Sequence, residues 1–174
     1  MTQLGSKYKQ LRILIVDDDA LMRGYLKTAL QRVTEGVVLE VAKADEVIDA
    51  CRRHRPSIVF LDIDLGGRNG LELIKGIMGQ RSDTYIIMVS AHSTLENAKR
   101  ALEDGARGFI VKPFTMAKIM AALTRALNQL SADKGRVKDA AVVVEANQDP
   151  EAGSHNSGAR EGEEIDRTGT SEGT

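Results

Sequence analysis

A doubly wound α/β fold, with five parallel strands covered by helices on both faces, is predicted by three features of this 174-residue chain. Short apolar runs alternate with segments of helical period from Leu11 to about Leu130. The runs ILIV, IVFL and YIIMV are continuous rather than alternating, as strands buried on both faces require. Hydrophobic residues make up 42% of the chain but aromatics only 3%, with no Trp, so the core is aliphatic. Such a core suits helices packed on a Val/Ile/Leu sheet better than a sandwich or an aromatic nucleic-acid platform. Successive βα units joined by right-handed crossovers then give one parallel sheet.

The elements follow in order. Residues 11–16 form the first strand and 20–33 an amphipathic helix; Gly36 breaks the pattern before a strand at 37–41. A second helix spans 44–54 and is ended by Pro56, which cannot continue it. The third strand, 58–61, runs into a turn-rich segment, Gly66-Gly67-Arg68-Asn69-Gly70, and helical signals resume over 71–78. Residues 85–89 are the fourth strand, and the helix at 95–103 is closed by Gly105 in the C-cap position. Residues 109–111 are the fifth strand, and Pro113 opens the last helical region. There Met116, Ile119, Met120, Leu123, Leu127 and Leu130 recur at spacings of three and four, a core-facing stripe.

Past Leu130 the chain is rich in Gly, Ser, Asp, Glu and Asn with no sustained period. The expected organisation is an N-terminal extension at 1–10, one folded domain at 11–130, and an acidic, mostly disordered tail at 131–174. Within the tail, residues 140–144 (AAVVV) are a small apolar island, read as a transiently structured linker in preference to a docking peptide. Residues 1–130 hold 19 Lys+Arg and 15 Asp+Glu, and residues 131–174 hold 5 and 10, so neither part carries the dense basic stripe of a nucleic-acid binder. One cysteine, Cys51, allows no internal disulfide, and its helical setting makes it a small packing residue. No secretory leader is evident and no apolar run approaches the ~20 residues of a membrane span. A cytoplasmic protein with no membrane association is expected. His54, His92 and His155 show no zinc-type spacing.

Chemistry concentrates where the strands end. The first strand runs into Asp17-Asp18-Asp19, the third into Asp62-Ile63-Asp64, the fourth into Ser90-Ala91-His92, and the fifth into Lys112-Pro113. In a doubly wound sheet these ends share one edge, where ligands bind near the switch in strand order. Asp19 alone is explained as a helix N-cap. Several crowded carboxylates repel one another unless a cation joins them. Mg2+ takes hard oxygen ligands from few carboxylates and completes its shell with water and phosphate oxygens. A lysine suits a phosphate oxygen, and a carboxylate can attack phosphorus to give an aspartyl phosphate. Phosphoryl transfer needs mainly positioning and neutralisation of the equatorial oxygens.

The segments LRILIVDDD, IVFLDIDLGGRNGLELI, IIMVSAHS and DGARGFIVKPF together resemble the CheY-like receiver domain of bacterial two-component response regulators. The resemblance covers residues 11 to about 130, with four motifs in the right order. It implies a flavodoxin-like (βα)5 sheet of order 2-1-3-4-5 and a phosphoacceptor at Asp62. Asp18 becomes a direct Mg2+ ligand, Asp17 acts through water, Asp62 is a ligand, and Asp64 contributes its backbone carbonyl. Ser90 and Phe109 become the switch residues, Lys112 the phosphate-contacting lysine, and Lys112–Pro113 a cis bond. Two departures stand out. Leu65-Gly66 replaces the Met-Pro common after the acceptor, which loosens that loop, and Phe109 replaces a frequent Tyr and lacks its hydroxyl.

The implied function is a phosphorylation-activated signalling domain, not an enzyme beyond its own phosphorylation and dephosphorylation. Its donor would be a histidine kinase or histidine phosphotransfer protein. Its output would be contact with a downstream protein, or homodimerisation, through the face of the fourth and fifth helices and fifth strand, with no direct nucleic-acid binding. The rival is a Mg2+-dependent phosphatase of the haloacid dehalogenase type, whose Asp-x-Asp motif matches Asp62-Ile63-Asp64. In that family, however, the nucleophile strand comes first and the acidic pair last, and the extended motif stops here at Leu65. A nucleotide-binding loop lacks GK[ST] and GxGxxG, and a serine hydrolase lacks the GxSxG elbow around Ser90.

Overall fold

The computed structural model describes residues 10–91 and 94–133. The expectations for His92, for residues 1–9 and for the tail from 134, including residues 140–144, lie outside these. Five parallel strands, β1 (Arg12–Val16), β2 (Val37–Val41), β3 (Ile58–Asp62), β6 (Tyr85–Ser90) and β7 (Gly108–Val111), stand in the order β2-β1-β3-β6-β7. Counting the main strands alone, this is the expected 2-1-3-4-5. Helices α1 (Ala20–Gln31), α2 (Ala44–His54), α3 (Ile74–Gln80) and α4 (Leu95–Asp104) connect them, and α5 (Met116–Asp133) follows β7.

Alternation along the strands divides the core in two. Ile13, Ile15, Ile58, Phe60, Ile87 and Val89 meet Leu26 and Leu30 of α1 and Ile119, Leu123 and Leu127 of α5. Their neighbours Leu14, Val16, Val59, Leu61, Ile86 and Met88 meet Val47 of α2, Ile74 and Ile77 of α3 and Ala98 of α4. Both faces are therefore buried, which is why the central strands read as unbroken apolar runs. Among the described residues, no buried side-chain nitrogen or oxygen lacks a hydrogen-bond partner.

Helix ends follow local chemistry. Asp19 caps α1 by accepting from the amides of Leu21 (2.8 Å) and Met22 (3.3 Å). The helix stops at Gln31, short of the expected 33, although Val33 is buried, because Val33 packs from the turn that follows. Thr94 caps α4, and Gly105 closes it with a φ of 114°. The last helix begins at Met116 rather than at Pro113, after a bend at Lys112 and Pro113, whose connecting bond is cis as expected. It runs to Asp133, three residues past Leu130, and an Asp133–Arg107 ion pair of 2.9 Å ties its end to the start of β7.

The largest difference from the sequence reading lies after β3. The turn-rich segment is a two-stranded antiparallel hairpin, β4 (Asp64–Leu65) and β5 (Arg68–Asn69), closed by Gly66 (φ 60°) and Gly67 (φ 87°). Two successive positive φ angles are what a tight two-residue hairpin demands, and glycine adopts them without strain. A 3-10 turn (Gly70–Leu73), capped by the Asn69 side chain on the Leu71 amide, leads into α3, so that helix starts later than expected.

Cys51 sits on the buried face of α2, and burial pushes its thiol from 9.0 up to about 11. The raised value means that the contribution of this group to stability is full below pH 9 and is lost as pH rises toward 11. At pH 8 the thiol is expected to be inert to Ellman's reagent in the native protein and to react at once in guanidinium chloride. Rapid stoichiometric reaction of the folded chain would contradict this burial.

Candidate functional site

Strand register brings the chemistry to one edge. Val16 pairs with both Val41 and Leu61, Asp62 with Val89, and Ser90 with Val111. The residues that end or follow β1, β3, β6 and β7 (Asp17 and Asp18, Asp62, Ser90, Lys112) therefore lie at the same end of the sheet. Asp17 is buried, Asp18 is exposed, and Asp62 and Ser90 are buried as the last residues of their strands. Ligand oxygens of Asp17, Asp18 and Asp62 all lie within 4.8 Å of one another.

The Lys112 ammonium reaches across the sheet end, 2.6 Å from a carboxylate oxygen of Asp62 and 2.7 Å from one of Asp17. Burial raises the Asp62 pKa above the usual carboxylate range; the Lys112 hydrogen bond and charge oppose this, and Asp17 adds to the rise. Burial lowers that of Lys112, but its bonds to Asp17 and Asp62 outweigh burial and hold it above the usual lysine value. One half-buried cation is thus shared between two buried carboxylates, with a third, water-facing carboxylate beside them. Lys112 alone does not balance this negative charge, and all three acidic groups offer hard oxygen donors, the chemistry Mg2+ selects.

The other expected residues take distinct places. The Asp64 amide donates to Asp62 at 3.3 Å, while its carboxylate accepts from the Gly67 amide at 3.3 Å within the hairpin. Its carboxylate is not one of the clustered three. Phe109 packs in the core on the α2–α4 side of β7, three residues before Lys112.

Two supporting residues were not singled out from sequence. Arg23 donates to the backbone carbonyls of Asp17 (2.8 Å) and Asp18 (3.1 Å), fixing the turn that aims the acidic pair. Gly70 lies so close to the acceptor strand that a Cβ there would stand 1.9 Å from the Asp62 carbonyl oxygen. Neither has a signal in a single sequence, because each acts through a contact with distant backbone.

A family model, Response regulator receiver domain, matches residues 13–124. The chain belongs to this family. Among its curated relatives, the receiver is 34% identical over 117 residues to the chemotaxis protein CheY of Bacillus subtilis, covering 67% of this chain and 98% of the relative. It is 36% identical over 121 residues to the nitrogen assimilation regulatory protein NtrX of Azorhizobium caulinodans, covering 68% of this chain but only 26% of that protein. A CheY-like receiver structure from Methanospirillum hungatei superposes with a TM-score of 0.67 at 27% identity, over 71% of this chain and 98% of the other. A response regulator from Burkholderia pseudomallei, solved with a phosphorylated aspartic acid and a calcium ion, gives 0.63 at 25% identity, over 72% and 73%. The protein is accordingly a phosphorylation-activated signalling receiver of the two-component type. Among the described residues, no helix of this receiver is long and apolar enough to cross a membrane.

Proposed function

We propose that Asp62 is the residue on which this receiver carries its phosphoryl group. Asp17, Asp18, Asp62 and the backbone carbonyl of Asp64 would hold Mg2+, and Lys112 and Ser90 would contact the phosphoryl oxygens. The observation that carries the reading is the meeting of three carboxylates within 4.8 Å with an ammonium 2.6 Å from the buried one. When bound, Mg2+ neutralises charge on the carboxylates and on the arriving phosphoryl oxygens.

A carboxylate oxygen of Asp62 forms the new O–P bond as the P–N bond to a donor phosphohistidine breaks, and the electron pair of that bond leaves on the donor imidazole. Lys112, held between Asp62 and Asp17, is placed to follow the new negative charge with little movement. The Ser90 hydroxyl, one strand away, is placed to turn toward a phosphoryl oxygen and draw its loop with it. Phe109 repacks in response and alters the face of α4, β7 and α5, where a downstream protein or a second copy binds. The donor is a histidine kinase or histidine phosphotransfer protein, which places the receiver in the cytoplasm. The domain turns over no other substrate, and the presence of both a phosphorylated aspartic acid and a calcium ion in the Burkholderia structure supports a phosphoacceptor used together with a divalent cation.

A phosphatase of the dehalogenase type needs its second aspartate as a proton donor at the site. Asp64 directs its carboxylate to the Gly67 amide instead. Acetyl phosphate is expected to add one phosphoryl group per chain in the presence of Mg2+ and none after EDTA, read by intact mass. Steady turnover of p-nitrophenyl phosphate by the wild-type chain would replace this reading with the phosphatase.

A further inference from the structure

The three clustered carboxylates are held in different ways. That of Asp17 accepts from the Asp19 amide at 2.9 Å and from Lys112 at 2.7 Å. That of Asp62 accepts from Lys112 at 2.6 Å and from the Asp64 amide at 3.3 Å. Asp18 is exposed, and what holds it is the backbone on either side. One terminal nitrogen of Arg23 donates to the Asp17 carbonyl at 2.8 Å and to the Asp18 carbonyl at 3.1 Å. The first carbonyl belongs to the peptide unit that enters Asp18, the second to the unit that leaves it. Peptide units are planar, so gripping both leaves little freedom in the two dihedral angles between them. Those angles set the direction of the Cα–Cβ bond, and with it the places the carboxylate can reach. We infer that Arg23 is the positioning residue for Asp18 and thereby sets the affinity of the site for a divalent cation, an inference that rests on Asp18 being a Mg2+ ligand.

Local structure puts Arg23 where it can do this. Asp19 caps α1, which starts at Ala20, so Arg23 lies in the first turn, and its own amide donates to the Asp19 carbonyl at 3.0 Å. Side chains on a helix lean toward its N-terminus, so a long one at this position lies over the turn that precedes the helix. Arginine carries its donors on a stiff planar group that stays charged, which makes the grip preorganised. The guanidinium also faces β2, where Arg23 Nε is 4.0 Å from Glu40, and Glu40 pairs in turn with Lys27. Glu40 offsets part of the arginine charge beside the acidic turn.

Positioning and simple charge make opposite predictions. A guanidinium close to the acidic turn repels a cation, so a neutral residue at position 23 would tighten cation binding if Coulomb energy decided. If Arg23 aims Asp18, the same change weakens binding, because a loosened turn must be ordered when the cation arrives. Outer-shell contacts that orient a metal ligand are typically worth about 10–100-fold in affinity.

Titration of the full chain with Mn2+, read by loss of the free-ion signal in electron paramagnetic resonance, tests this. R23M keeps an aliphatic stem without the donors, and R23Q is too short to reach both carbonyls. Each is expected to raise the dissociation constant about tenfold while the chain stays folded in urea titration. In a D18N background, itself weakened, the same substitutions should change it less than about twofold, since no ligand is left to aim. Binding by R23M or R23Q as tight as wild type, or tighter, overturns the inference. A loss of the same size in the D18N background also overturns it, because Arg23 would then act on something other than Asp18. Binding by D18N as tight as wild type would remove Asp18 from the ligand set, and its positioning residue with it.

Discussion

Asp62→Asn is expected to reduce phosphoryl incorporation from acetyl phosphate in Mg2+ to background while leaving a folded protein. The amide is a neutral, poor nucleophile. Because burial raises the Asp62 pKa in the fold, its ionised form opposes folding at neutral pH. The sign follows: this group's contribution is present below its ordinary carboxylate value and is lost as pH rises through the raised one. Neutralising it with Asn relieves that burden, and Lys112 keeps its 2.7 Å pair with Asp17. Stability at pH 7 should therefore stay within about 1 kcal/mol of wild type in urea titration, relief of desolvation offsetting the lost ion pair. A variant that still gains a phosphoryl group by intact mass would move the acceptor elsewhere.

Gly70→Ala is expected to be the most damaging single-methyl change in the domain. The added Cβ would lie 1.9 Å from the Asp62 carbonyl oxygen and 3.3 Å from the Ile63 Cα, both backbone atoms that no rotamer change can move aside. Relief requires the hairpin end to separate from β3, at the Gly70 amide that donates to the Ile63 carbonyl at 2.6 Å. A cost of about 3 kcal/mol, the upper end for overpacking, corresponds to a fall in Tm of roughly 10–20 °C. Gly79→Ala is the internal control: it lies in α3 with nothing within 4 Å of the added Cβ, and alanine is favoured in a helix by about 0.5–1 kcal/mol. Equal stability of the two variants in thermal melts would refute the close approach at Gly70. The Gly70 variant should also phosphorylate more slowly, because the displaced backbone is that of the acceptor.

The two variants mark how far the sequence carried. The five main strands and the meeting of Asp17, Asp18, Asp62 and Lys112 at one sheet edge were legible because each rests on short-range pattern, whereas the strand order came from the resemblance to receiver domains. Apolar runs report burial on both faces, and polar residues directly after them report a shared sheet edge. Asp19 was likewise legible as a cap, since capping is settled within three residues. The hairpin after Asp62 was not. Gly66 and Gly67 signal a turn, but the pairing of Asp64–Leu65 with Arg68–Asn69 depends on a register that two-residue strands cannot announce. The ends of α1 and α3 moved for a related reason, buried apolar residues lying in turns as well as helices.

What the sequence determined by itself is the chemical inventory and its order along the chain: carboxylates after the first and third strands, a hydroxyl after the fourth, and a lysine after the fifth. That order distinguishes a receiver from a dehalogenase, and it needs no coordinates. Only the tertiary structure decided how the charges share one another. Lys112 lies between Asp17 and Asp62, Arg23 grips the carbonyls that aim the acidic pair, and Gly70 yields its side chain to the backbone of the acceptor. These are contacts between residues far apart in the chain, fixed by the packing of the strands and not by local preference, so no window of sequence contains them.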